Sequence, residues 1–158
     1  MRSHNGGDKG KLSIFDQSFR TPIIFSWENK IAKNSQFNDL IHTIDISATV
    51  LDYAGIENFS ALGNGNSFKN VMRGLEEGSR EMILGNSNKI RDDNDPMGRD
   101  VKAFWGRNKQ WFYKSNITDN SEALYNILED PFCESNVLEG NNSVAKLFKD
   151  KLRQKYID

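Results

Sequence analysis

Two patterns of apolar and polar positions run along this chain, and they change over near residue 80. Met1 to Lys11 is polar and glycine-rich and reads as a loop. Arg20-Thr21-Pro22 leads into the largely apolar run Ile23-Ile24-Phe25-Ser26-Trp27, the pattern of a short strand buried in a parallel sheet. Glu28 to Asn38 is a polar connection. Asp45 can cap a helix whose apolar positions are Ile46, Val50, Leu51 and Ala54, and Gly55 stops it. Asn58 to Asn66 is a loop. Ser67 can cap a second helix through Phe68, Val71, Met72 and Leu75, with Gly74 and Gly78 near its end.

After residue 80 the spacing becomes that of strands. Arg80 to Leu84 has strand character. Asp100 to Trp105 and Gln110 to Lys114 are β-formers on either side of Gly106-Arg107-Asn108-Lys109, which predicts a hairpin. Arg91 to Gly98 is acidic, contains Asn94, Pro96 and Gly98, and reads as a mobile loop. Ser143 to Tyr156 returns to helical spacing: Val144, Leu147, Phe148 and Leu152 form one face and lysines fill the other. The expected organisation is therefore an α/β part over residues 1–79. An antiparallel sheet with a terminal helix follows over 80–158.

Composition narrows the function classes. The 158 residues suffice for one domain with a real core, and 37% hydrophobic with 11% aromatic residues is not a disordered composition. The 21 basic and 22 acidic residues give a net charge of −1, so no electrostatic footprint for nucleic acid or an anionic membrane is expected. The longest apolar runs, Pro22 to Phe25 and Met82 to Leu84, are far too short to span a bilayer. One cysteine, Cys133, excludes an internal disulfide. Its neighbours Asp130 and Glu134 would raise a thiol pKa, so it reads as a turn residue rather than a nucleophile.

The candidate chemistry gathers at the start of the chain. Asn5 offers an amide oxygen to a hard cation, and Gly6-Gly7 allow the sharp bend such a site needs. His4 offers a nitrogen, better suited to zinc or manganese. Lys11, beside Gly10, can act as a point charge on an oxyanion. Arg20 reads as an ion-pair partner of Asp16, and His42 as a structural residue near a helix start. Trp105, Trp111, Phe112 and Tyr113 read as core packing between a sheet and the last helix.

The order of these residues resembles the second half of a sulfatase of the alkaline-phosphatase superfamily. Four blocks carry it. His4-Asn5-Gly6, Gly10-Lys11, Phe15-Asp16 and Arg20-Thr21-Pro22-Ile23-Ile24-Phe25 make the first. Ile41 to Ile56 makes the second, with Ala48 where that family has proline. The third is Asn64-Gly65-Asn66-Ser67-Phe68, ending at Arg73-Gly74. The fourth is Ala123 to Pro131 followed by Glu134-Ser135-Asn136-Val137. The resemblance runs from about residue 3 to residue 152, essentially the whole chain.

The resemblance implies a fold class, an activity and a site. The fold would be α/β, the C-terminal part of the sulfatase fold, with a small antiparallel sheet and a terminal helix. The parent reaction would be hydrolysis of a sulfate ester, and the ligand a sulfated small molecule or glycan. Asn5 falls on a metal ligand, calcium in most members; His4 falls where the family has an aspartate ligand; Lys11 falls on the lysine that contacts the sulfate. The cysteine or serine that becomes formylglycine, the early aspartate pair and the middle histidines are absent, so the chain is expected to need the N-terminal part of the enzyme and to be inactive alone. Two rival readings stay open: a non-catalytic sulfatase-like module that binds a glycan or partner, favoured by His4 in place of aspartate, and a phosphodiesterase or phosphomutase of the same superfamily.

Overall fold

The computed structural model describes residues 16–56, 64–88, 102–117 and 120–156. The loops expected at Met1 to Lys11 and Arg91 to Gly98 lie outside the described residues. By mutual packing the chain divides into two units: residues 22–81, and the sheet-bearing remainder to which the short helix before residue 22 also belongs. That short helix, α1, spans Asp16–Phe19.

In the unit of residues 22–81, helix α2 spans Thr43–Tyr53 and α3 spans Lys69–Met72. The cap of α2 is His42, not Asp45. His42 Nδ1 accepts from the Ile44 amide, and the Asp45 carboxylate accepts from the His42 amide at 2.7 Å. Asp45 is thus the third helical position of a reciprocal capping box, with histidine in the place usually held by serine or threonine. The helix ends as expected, with Gly55 at φ 72°. Thr49 ties the two helices together: its Oγ1 donates to Asp45 O at 2.7 Å and accepts from Phe68 N at 3.0 Å. Phe68, Val71 and Met72 form the core, joined by Phe25, Ile31, Ile41 and Tyr53. Ser67 precedes the shorter-than-expected α3; its hydroxyl accepts from Lys69 N at 3.2 Å and donates to Asp52 at 2.6 Å.

The strand expected at Ile23 to Phe25 is not formed. Residues 20–26 carry no ladder, and Ile24 is 90% exposed. A strand exists only through a neighbour's hydrogen bonds, and the described residues pair none with this run.

The second unit is a four-stranded antiparallel meander in sequence order: β1 Ile83–Asn88, β2 Lys102–Arg107, β3 Trp111–Asn116 and β4 Ser121–Asn126. The expected hairpin is present as β2 and β3, with Trp105 opposite Lys114 and Arg107 opposite Phe112. Its turn lies further along than expected: Gly106 and Arg107 are in the strand, and Asn108 Oδ1 closes the turn by accepting from the Gln110 and Trp111 amides. β1 starts three residues later than the expected strand, and β4 lies where the sequence pattern predicts none.

Side-chain alternation gives this sheet two apolar faces. One carries Phe104, Tyr113 and Leu124 and packs on Ala145, Phe148 and Leu152 of helix α4, Asn142–Tyr156. The other carries Trp105, Phe112, Ala123 and Tyr125 and packs on Ile127 and Cys133. Phe19 of α1 stacks on Trp105 at 4.2 Å between centroids. So only part of the expected aromatic packing faces the last helix; Trp105 and Phe112 are committed to the opposite side. Leu147, expected on the apolar face of α4, is 48% exposed.

The open edge of β4 is covered by the chain that follows it. Asn136 Oδ1 accepts from Leu124 N at 3.0 Å, and Val137 N donates to Leu124 O at 2.9 Å. Asp130 shapes the intervening turn by accepting from the Glu134 and Ser135 amides. These contacts protect an edge strand from pairing with another chain.

Candidate functional site

His4, Asn5 and Lys11, the site residues read from the sequence, lie outside the described residues. What the structure does describe is how the chain is held just after them. Asp16 is 1% exposed, and Arg107 Nε donates to its Oδ1 at 2.7 Å. The expected partner, Arg20, stands at 3.9 Å from Oδ2 and is itself well exposed. Arg20 therefore does pair with Asp16, but Arg107, 91 residues further along, is the closer and more buried partner. No sequence signal identifies it, because the contact depends on β2 lying against α1. Gln17 Nε2 adds a second tie, donating to Pro131 O at 2.6 Å.

Cys133 sits beside this junction, 3% exposed and at φ 55°. Burial first, and then the negative charge of Asp16, push its thiol up to about 11. A thiol so protonated and enclosed is no nucleophile at neutral pH, in agreement with its acidic flanks.

A comparable arrangement anchors the other unit. Asp45 Oδ1 accepts from Asn66 N at 2.8 Å, and Arg80 Nε donates to Asp45 Oδ2 at 3.1 Å. His42 spends its ring nitrogen on the cap, so its structural reading holds. Lys69 Nζ meets Asp52 Oδ1 at 2.8 Å, and Lys69 first, then Ser67, hold that carboxyl below its ordinary value. Among the described residues no three His, Cys, Asp or Glu side chains gather as a metal site would require. Buried carboxylates paired to arginines, a helix cap and an edge cover are devices of architecture. These contacts hold the architecture, and His4, Asn5 and Lys11, the residues read as carrying chemistry, precede them in the chain.

The fourth sequence block also belongs to the scaffold. Asp130 and Asn136, two of its most distinctive positions, make the turn and the edge cover of β4.

Comparison with known proteins agrees with this architecture. The family model described as N-sulphoglucosamine sulphohydrolase, C-terminal, matches residues 7–157. An ulvan-active sulfatase of Formosa agariphila is 26% identical over 95% of this chain and 34% of its own length. A candidate sulfatase from Bacteroides fragilis superposes with a TM-score of 0.64 at 16% identity, over 82% of this chain and 28% of that one. A structure solved in complex with its substrate D-glucosamine-2-N,6-O-disulfate superposes with a TM-score of 0.52 at 20% identity, over 70% of this chain and 23% of that one. The chain thus spans about a third of the curated relative and about a quarter of these solved chains.

Proposed function

The chain belongs to the family of C-terminal parts of N-sulphoglucosamine sulphohydrolases, and on that premise we propose that it is the rear portion of a sulfatase that cleaves sulfate esters of a sulfated carbohydrate. The observation that supports this most is the family match over residues 7–157 by a chain that covers only 34% of its curated relative. The substrate class rests on relatives: one is an ulvan-active sulfatase and one was solved with a disulfated glucosamine as its substrate.

In this reading Lys11 places its ammonium on a sulfate oxygen, where a compact, freely rotating charge can follow the charge that develops as the ester breaks. Asn5, with His4 beside it, would hold the calcium ion of the full-length parent, an ion that would neutralise further negative charge on the sulfate. The nucleophile would come from the N-terminal part, so this segment alone should not turn over. The exposed, ladder-free run at Ile23 and Ile24 fits a strand whose neighbours lie in that part.

His4 where an aspartate is expected favours a second reading, a sulfatase-like module that binds a glycan without cleaving it. Sulfate release measured on the full-length product carrying this segment separates the two. Hydrolysis that collapses in Lys11→Ala supports the enzyme; saturable glycan binding with no sulfate release supports the module.

A further inference from the structure

The sheet unit holds a cavity of about 190 Å³ that the architecture leaves unexplained. It lies between the second half of α4 and the β3–β4 hairpin. Its inner wall is apolar: Tyr113 and Leu152 are almost fully buried, and Phe104 is partly so. Its rim is polar, with Ser115, Asn120 and Arg153.

The charges of the lining do not cancel. Lys149 Nζ is paired to Glu122 at 2.6 Å, whereas Arg153 has no ion pair among the described residues. Among the described residues, two cations of the lining therefore face one carboxylate, and the one without an ion pair there is a guanidinium on the rim. A guanidinium offers parallel N–H donors that match two oxygens of a sulfate or carboxylate. The volume is below the ~300 Å³ at which sites for drug-sized ligands begin. It suits a single sugar ring, one face on Phe104 and Leu152 and its hydroxyls toward Ser115 and Asn120.

We propose that this cavity is a saccharide subsite for one sulfated pyranose, with Arg153 on the sulfate and the Phe104–Leu152 wall under the ring. It is built wholly within the sheet unit, from residues the catalytic reading does not use. The choice of a sulfated sugar as its ligand rests on that reading, whereas binding at these residues is measured without turnover, so the two can fail separately.

The test is an amide NMR titration of the full 158-residue chain with glucose 6-sulfate, glucose and inorganic sulfate as separate probes. Glucose 6-sulfate is expected to shift amides at residues 115, 120–122 and 149–153. It should bind at least tenfold more tightly than either glucose or inorganic sulfate. Arg153→Ala should weaken it tenfold or more with the thermal unfolding midpoint unchanged, and Arg153→Lys should recover part of the loss. Three outcomes overturn the proposal: no shifts at those amides, equal binding of inorganic sulfate, or unchanged affinity in a folded Arg153→Ala chain.

Discussion

Arg107 on β2 and Asp16 on α1 form a 2.7 Å charge-assisted hydrogen bond across 91 residues of sequence, with the carboxylate 1% exposed. That contact fixes the chain five residues after Lys11 and joins the first described helix to the sheet. Breaking one side of a buried pair leaves the other charge desolvated, at a cost of about 3–5 kcal/mol. Arg107→Ala is therefore expected to lower unfolding stability by roughly 3 kcal/mol, read from the urea midpoint at unchanged slope. The companion change Asp16→Asn in the same chain should restore much of it. A loss under ~1 kcal/mol for Arg107→Ala would assign the pair to the weak surface class.

Gly106 on β2 faces Phe148 of the terminal helix with no room for a side chain. A Cβ built on Gly106 would stand 2.5 Å from Phe148 Cδ1 and 3.0 Å from Leu84 Cδ2. Gly106→Ala should overpack the interface and cost about 1–3 kcal/mol. The smaller Phe148→Leu side chain, added to it, should cost less than the sum of the two separate changes. Strict additivity would mean that α4 moves away freely.

Asp52 supplies a pH-dependent increment. Lys69 first, and then Ser67, lower its carboxyl below the ordinary 3.8. A folded value below the unfolded one stabilises above pH 3.8, and the contribution is lost as pH falls through the folded value. Because the pair is only half-buried, Asp52→Asn should cost less than about 1 kcal/mol at neutral pH. The gap between the two chains should close as pH falls below 3.8 and through the folded value. A difference that grows on acidification would contradict this sign.

Cys133 should be inert while the chain is folded. With its thiol pushed up to about 11 and 3% exposed, alkylation at pH ~8 should be orders of magnitude slower in the native chain than in urea. The sign is opposite to that of Asp52: the unfolded thiol, at its ordinary 9.0, ionises first. The Cys133 contribution to stability should therefore fall as pH rises from 9 toward 11 and be constant below. Equal native and unfolded labelling rates would show the site to be open.

Elements with strong local signatures are legible in the residue pattern. The terminal helix Asn142–Tyr156 and the β2–β3 hairpin follow from spacing and turn residues alone. Features set by distant partners are not. Gly106 reads as a turn residue, yet it pairs with Leu84 and Tyr113 within the sheet, and Phe148 fills the space a side chain would take. Asp45 reads as a cap, but His42 takes that place, and the Asp45 carboxylate reaches Asn66 and Arg80 as well as the His42 amide. The apolar run at Ile23 and Ile24 reads as a strand, but a strand needs a neighbour that the described residues do not supply. β4 carries little signal because Ser121 to Asn126 alternates weakly and its outer edge is satisfied by Asn136 rather than by another strand. The candidate site, His4, Asn5 and Lys11, rests on sequence order alone, because these residues lie outside the described ones.

Sulfate release from a chromogenic aryl sulfate, by the full-length product that carries this segment, tests the central claim most directly. The expected result is turnover by the intact protein and at least a hundredfold loss in Lys11→Ala, a drop typical of removing one group that stabilises developing charge. The isolated segment should show no release above background. Turnover by the isolated segment, or an intact enzyme indifferent to Lys11→Ala, would contradict the account.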